Sequence, residues 1–477
     1  MSLATKFRVL SSADLNRVHE ATVRVLEETG IGFQEKEVQE LFKKHGAKVE
    51  GEIVYISRKM LEDALKTVPS TFKWWARNEA NSIVVGGEQE RTHISPNSGP
   101  VYVQDLDNGR RLGKMEDVVN LYKLAQASSV VNTVGHIPVN PSDVGTSEKS
   151  LTVFYNLLKN TDKPLIGYES TPEEIRKIFE MIEITMGQKG YLLDHPAIAI
   201  SVNPLSPLRF DDKACQRIVE YAKYRQPVMI LSCALAGVSA PVNILGSAVL
   251  QNAEMLAGLV LTQIANAGSP YIYSPASTVA NMQKGSYITG TPEANLINVA
   301  CIQLAQELYE IPCRSMAGLT DAKTIDCQSG YETMQNLFML MLSGVHVINE
   351  CVGVLDSIMT TSYEKFIIDE EMMSRILCVM RGVDTSEDAL SVDVIKEIGQ
   401  AGSYLMHPNT FEHFRERWTP TVSDWNSYDN WKEQGSEDVA IRANRKYKEI
   451  LEKAPESLLD KELDLQLQNY VNKAINK

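Results

Sequence analysis

Apolar and polar positions change their period along this chain. Over residues 11–70 the spacing is helical: Ser12 precedes Leu15, Val18, Val23 and Leu26, and Gly30 supplies a stop signal. A second amphipathic segment runs through Val38, Leu41 and Phe42 to His45-Gly46, and a third spans 58–68 before Pro69. From 82 to 108 the texture turns to β, with SIVVGG and then RTHISPNSGPVYVQDLDNG, in which Asn97-Ser98-Gly99 and Asn108-Gly109 read as turns. From about 113 onward helical faces alternate with short apolar runs. Met115, Val118, Val119 and Tyr122 share one helical face. Thr171, Pro172 and Glu174 spell a capping box before Ile175, Ile178, Phe179 and Ile182. Thr291-Pro292-Glu293 repeats that start signal.

The apolar runs lie at 130–141, 163–169, 197–204, 227–234, 270–276, 311–318, 345–353 and 365–371. Runs without alternation are buried on both faces, as in parallel sheets. Eight βα units in about 260 residues predict an α/β fold of (β/α)8 TIM-barrel type rather than a doubly wound sheet. The expected organisation is an N-terminal helical and β-hairpin region (1–112), the barrel (113–382) and a C-terminal helical extension (383–477). In that extension Tyr404, Phe411, Phe414, Trp418, Trp425, Tyr428 and Trp431 concentrate aromatic surface. They are expected to glue the segment to the barrel or to a neighbouring subunit.

Composition narrows the function classes. Lys+Arg total 47 against 61 Asp+Glu, a formal charge of −14, and no block of five basic residues occurs, so nucleic acid and anionic membranes are poor partners. The apolar stretches 256–261 and 337–342 fall short of the ~20 residues that span a bilayer, and the polar N-terminus does not read as a signal peptide, so a cytoplasmic location is expected. The seven cysteines form no CxxC pair and the eight histidines no HExxH, which disfavours disulfides, zinc and iron–sulfur sites. GxGxxG, GxxxxGK[ST] and GxSxG are all missing, so no tightly held cofactor is expected.

In a (β/α)8 barrel chemistry gathers at the C-terminal ends of the strands. Those ends offer His136 and Asn140, Tyr168 and Glu169, Asn203, Ser232 and Cys233, Tyr273 and Ser274, Arg314 and Asp321, His346, Asn349 and Glu350, and Asp369, with Lys323 nearby. Asn140 and Asn203 precede proline and serve equally well as turn residues. Cysteines 233, 313 and 351 read first as small hydrophobes. His346 is either a core histidine bonded to a carbonyl or a functional imidazole. In an extended strand it shares a face with Glu350, and both are then expected to look inward. Arg314, between apolar neighbours, requires an anion from the protein or from a substrate. The run 320–332, TDAKTIDCQSGYE, is the densest polar loop after any strand.

TDAKTIDCQSGYE, GVHVINECVGVLDSIMTTSYEKFIIDEEM, NSGPVYVQD and HFRERWTPTVSDWNSYDNWKEQGSEDVAIRA together resemble the trimethylamine methyltransferase family of corrinoid-dependent enzymes, over about residues 10–450. Only the twenty standard residues occur, so the chain is similar to the branch without pyrrolysine, which acts on quaternary amines. The resemblance implies a TIM barrel that passes a methyl group, from glycine betaine as the expected substrate, to Co(I) of a corrinoid (cobalamin) on a separate partner protein. It also implies self-association into a homo-oligomer. Carnitine, γ-butyrobetaine and proline betaine remain alternatives, as do a non-catalytic relative and a Schiff-base barrel using Lys323 or Lys163.

The chemistry suits such a substrate. A quaternary nitrogen leaves as a neutral amine, and Co(I) is a strong nucleophile, so the protein's work is positioning and exclusion of water. A quaternary ammonium wants aromatic faces and carboxylates, which assigns it to Tyr168, Glu169 and Glu350. The substrate carboxylate wants Arg314, helped by Asp321, Gln328 and Tyr331 of the polar loop, and Asn203 joins the substrate-binding set. His346 is expected beside the reacting methyl group, with Glu350 as its catalytic neighbour.

Overall fold

In a computed structural model, described for residues 6–88, 92–135 and 137–475, the parallel strands and their helices form a mixed α/β fold. His136 lies outside the described residues. Two all-parallel sheets hold eight of the described strands: β1 (His93–Ile94), β2 (Val134–Gly135), β3 (Leu165–Ile166), β4 (Ile198–Val202), β5 (Val228–Ser232), β6 (Tyr271–Pro275), β7 (Arg314–Met316) and β8 (Val347–Asn349). Each is followed by a helix: α1 (Met115–Ala127), α2 (Thr146–Asn160), α3 (Pro172–Met186), α4 (Asp212–Lys223), α5 (Ile244–Ala265), α6 (Pro292–Gln303), α7 (Cys327–Leu342) and α8 (Tyr363–Met380). The strands fall into a sheet of order β6-β5-β4-β3-β2 and one of order β7-β8-β1. A parallel bridge, Tyr273 to Cys313, joins β6 to the residue before β7. On the other side the amides of Asn132 and Thr133 donate to the carbonyl of Ile94 at 2.7 and 3.2 Å.

One expected strand is a helix. The run 365–371 lies inside α8, capped by the Ser362 hydroxyl, which accepts from Lys365 N. Its apolar run imitates a strand, but Lys365 and Asp369 form an i,i+4 ion pair of 2.5 Å, and Phe366, Ile367, Met373 and Ile376 are buried at helical spacing. The remaining parallel position is taken by β1, from the region expected to be hairpin; two residues are too few to show a period. The capping box of α3 forms as expected, with Thr171 Oγ1 accepting from Glu174 N and Glu174 accepting from Thr171 N.

Alternation along the strands sorts side chains into two faces. Ile198 and Ile200, Val228 and Ile230, Tyr271 and Tyr273, and Ile348 face the helices in the main core. On the opposite face Ile166, Ala199, Met229, Ile272 and Val347 pack against Phe72, Trp74, Ile83 and Val85. Those four come from an antiparallel hairpin, Thr71–Trp74 with Ile83–Gly86, that plugs the N-terminal end of the strands. The Trp74 indole donates to the Ala197 carbonyl at 3.2 Å, so this large side chain is buried with its polar atom satisfied.

Helix α5, of 22 residues, is long and apolar enough to cross a membrane, a length the stretch 256–261 does not reveal; here it is mostly buried, packed on β5 and β6. Gly258 permits that approach, since a Cβ there would stand 2.5 Å from Ile230. The N-terminal helices Ser12–Arg24 and Arg58–Thr67 pack on α5, and the C-terminal helix Val439–Lys453 on α8. In the aromatic segment Trp418 is anchored, donating to Ser374 Oγ at 2.9 Å beneath the Arg375 guanidinium. Trp425 (66% exposed) and Tyr428 (71%) face outward.

Candidate active site

The polar residues of the inner face lie above the plug, toward the C-terminal ends of the strands. Arg314, the first residue of β7, is only 1% exposed. Its Nη1 donates to Ser201 Oγ at 3.3 Å, and its Nε is buried without a hydrogen-bond partner among the described residues. Burial pulls its guanidinium down to about 10, against the pull of Glu350, Cys233 and Cys351, so it stays charged at neutral pH. A buried guanidinium with donors to spare calls for an anion.

Glu350 follows β8 and is 5% exposed. Its carboxylate accepts from Ser98 N and Ser98 Oγ, both at 2.7 Å. Burial pushes it up to about 7, with the Ser98 bonds and Arg314 opposing, so it ionises in the neutral range. Its backbone has φ +62°, which breaks the strand's alternation. That break corrects the expected geometry. Ile348 faces the helices and Val347 the plug, so strand parity puts 346, 348 and 350 away from the interior. Glu350 reaches the Ser98 loop because its backbone turns left-handed just after the strand.

His346 has no such turn. It precedes β8, roughly 13 Å of extended chain from Glu350 at about 3.3 Å per residue. Nδ1 accepts from Cys313 N–H at 2.9 Å, which leaves the ring proton on Nε2, 3.2 Å from the Gly87 carbonyl. Burial first, with Lys6 assisting against the Gly87 bond, holds it down to about 4. It sits at the plugged end of the strands as a neutral imidazole between backbone groups, not beside Glu350.

The other expected residues scatter around the C-terminal ends. Tyr168 is half-buried; burial, then Glu169 and Glu174, push its hydroxyl up. Glu169 is exposed and pairs with Arg217 at 3.3 Å. Asn203 is exposed. The run 320–332 is loop only as far as Asp326, which caps α7 by accepting from Ser329 N; Gln328 and Tyr331 lie on its first turns. Gln328 donates to Glu332 at 2.9 Å, and Tyr331 faces outward. Asp321 accepts from Thr289 N, Gly290 N and Ser357 Oγ, so it ties three loops together. Lys163 is buried, its ammonium donating to the carbonyls of Ala125, Ser128 and Val131, and Lys323 is exposed beside Asp356.

Sequence reasoning missed three contributors. Ser98 was legible only as part of a turn, although the NSG that makes the turn belongs to NSGPVYVQD. Ser201 hides in an unbroken apolar strand. Tyr287, on a hairpin after β6, leaves no periodic trace; it is half-buried, and burial followed by the nearness of Cys233, Glu350 and Asp321 pushes its hydroxyl up. Among the described residues no three His, Cys, Asp or Glu side chains gather to hold a metal. The arrangement suits an organic ion that carries both signs: a fixed cation, a carboxylate that ionises near neutrality, and aromatic and apolar walls.

Comparison with known proteins gives the family. Residues 2–477 match the family described as trimethylamine methyltransferase (MTTB). The glycine betaine methyltransferase of Desulfitobacterium hafniense (strain Y51) is 36% identical over 470 residues, covering 98% of this chain and 97% of that one. The proline betaine:corrinoid methyltransferase of Eubacterium limosum is 32% identical, covering 86% of each. Among solved structures the Methanosarcina barkeri monomethylamine methyltransferase superposes with a TM-score of 0.57 at 12% identity, covering 96% of this chain and 91% of that one, a likeness of fold. The match runs through the Ser98 turn, β7 and β8 alike, and on that whole-length agreement this chain belongs to the trimethylamine methyltransferase family.

Proposed function

We propose that this protein moves a methyl group from glycine betaine to Co(I) of a corrinoid held by a separate protein, releasing dimethylglycine. The observation that carries the reading is the unpartnered Nε of Arg314, a buried guanidinium that feels the charge of Glu350. A zwitterion with a carboxylate and a permanent cation answers both charges at once. Similarity to methyltransferases for glycine betaine and proline betaine supports the class.

The corrinoid supplies the nucleophile. The residues of this chain bind and orient. Arg314 takes the substrate carboxylate, with Nη1 already steadied by Ser201. Glu350, held by Ser98, faces the ammonium, and Tyr287 and Tyr168 give it aromatic surface. Asp321 acts through Thr289 and Gly290 on the loop that carries Tyr287. Gln328, Tyr331, Glu169 and Asn203 lie toward the rim, where the partner protein approaches. No side chain has to remove a proton, because the nitrogen departs neutral. His346 serves the plugged end as a strap between Cys313 and Gly87.

The strand order and the bonds from Asn132 and Thr133 to Ile94 support closure of the strands into a (β/α)8 barrel. We assign the chain to the cytoplasm. We assign the exposed side chains of Leu405, Met406, Phe411, Trp425 and Tyr428 to a contact between subunits of a homo-oligomer.

The test is anaerobic. Protein and Co(I) cobalamin are mixed with glycine betaine, carnitine or trimethylamine in separate cuvettes. Loss of the Co(I) band with glycine betaine alone, together with dimethylglycine in the product, is the expected result. Conversion of another betaine moves the substrate. No conversion with any, including in the presence of a corrinoid protein, overturns the reading.

A further inference from the structure

The hairpin between Val354–Leu355 and Thr360–Ser362 carries a run of left-handed residues that are not glycine. Asp356, Ser357 and Ile358 are consecutive and all left-handed, with φ of +54°, +52° and +74°. Such conformations are unfavourable for residues with a Cβ, and a β-branched residue there is a genuine outlier. They persist only where the surroundings over-determine them.

Here the surroundings do. Asp356 N donates to Ala322 O at 2.8 Å and Ser357 N to Thr320 O at 3.0 Å. The Asp356 carboxylate pairs with Arg110 at 3.1 Å and Lys323 at 3.5 Å, and Ser357 Oγ donates to Asp321. Val101 N and Tyr102 N both donate to the Met359 carbonyl at 3.1 Å. Two loops and a neighbouring strand therefore hold the tip in place.

What they hold there is one side chain. Ile358 packs against the apolar cluster of Leu231, Ala276, Met316, Leu319 and Val354, beside Cys233. Met316 is two residues beyond Arg314 on the same face of β7, so the cluster adjoins Arg314 along that strand. Cys233 feels the charges of both Arg314 and Glu350. Ile358 thus shares with Cys233 the cluster that adjoins both charged groups.

We propose that Ile358 is a specificity-determining residue for the methylated nitrogen, its bulk fixing the room allowed to the groups on that nitrogen. The proposal rests on the reading of Arg314 and Glu350 as a betaine site. Strain is the means: an Ile in an ordinary conformation at this tip would point elsewhere.

Two variants separate size from strain. Ile358→Ala removes bulk and keeps the strain; Ile358→Gly removes both, because glycine accepts positive φ. Binding of tetramethylammonium and of tetraethylammonium to the full chain is measured by titration calorimetry, which needs neither corrinoid nor turnover. The wild type is expected to prefer tetramethylammonium by about tenfold or more, and both variants to bring that ratio toward one. The thermal midpoint of Ile358→Ala is expected to fall by roughly 2 °C, while that of Ile358→Gly stays at or above that of Ile358→Ala. A ratio unchanged in both variants overturns the proposal while leaving the betaine reading standing. A wild type that binds neither ion overturns both.

Discussion

The two ends of the parallel strands are built from the same eight segments and put to opposite uses. At the N-terminal end Phe72, Trp74, Ile83 and Val85 fill the opening, and the polar groups there are tied to backbone: Trp74 to Ala197, and His346 to Cys313 and Gly87. At the C-terminal end a guanidinium and a carboxylate are equally deep, but Arg314 keeps an unmatched donor and Glu350 is pushed toward neutrality. Burial of polar groups is tolerated at the first end because it is satisfied there. At the second, the proposed betaine would complete the unsatisfied capacity. The difference teaches how to tell a structural buried charge from a functional one: count the partners, not the depth.

The largest effect expected is at Arg314. Arg314→Met should cut turnover of the betaine by about 10³-fold, with the thermal midpoint nearly unmoved, since the guanidinium makes one long hydrogen bond inside the protein. Steady-state kinetics beside a melting curve checks this; a variant with a clearly lowered thermal midpoint but an unchanged turnover number would make Arg314 a structural charge and break the comparison. Trp74→Ala works on the other end. It should cost about 3–5 kcal/mol of stability in denaturant titration and leave KM alone. A changed KM with unchanged stability would mean that the plug belongs to the site.

Smaller effects sharpen the contrast through pH. His346 is held down to about 4 from 6.5, so its contribution is fully present above 6.5 and is lost as pH falls through about 4, some 3 kcal/mol in all. His346→Ala should lose a comparable amount by stranding the Cys313 amide and should keep its turnover. Unfolding free energies of wild type and variant between pH 4 and 7 test both points. Glu350 has the opposite sign. Its folded value, about 7, lies above the ordinary 4.5, so its contribution is present below 4.5 and lost as pH rises through 7. Affinity for the cationic substrate should rise over that same interval by about tenfold, and Glu350→Gln should flatten the profile. A Gln variant with an unchanged profile would move the ionisation elsewhere.

Most of the architecture was legible because it is written in local periods. The helical faces of α1 and α3, the capping box at Thr171 and seven of the apolar runs announce themselves within a few residues. The miss at 365–371 shows the limit of that reading: Phe366-Ile367-Ile368 is apolar in any conformation, and only the Lys365–Asp369 pair and the Ser362 cap favour the helix. Arg314 and Glu350 were visible as charges embedded in apolar runs. Their separation from His346 was not, since strand parity is meaningful only once it is known which face is inside.

By itself, then, the sequence determined the family, the alternation of strand and helix, and which buried positions carry charge, because those depend on residue identity and spacing of a few residues. Tertiary structure alone decided that His93–Ile94 is a strand, that a hairpin plugs one end of the strands, that Ser98 meets Glu350 across a separation of 252 positions, and that Ile358 packs on the cluster that contains Met316. Those outcomes depend on contacts between distant segments and on left-handed backbone at Glu350 and Ile358, where long-range bonds override a local preference that the sequence pattern expresses faithfully.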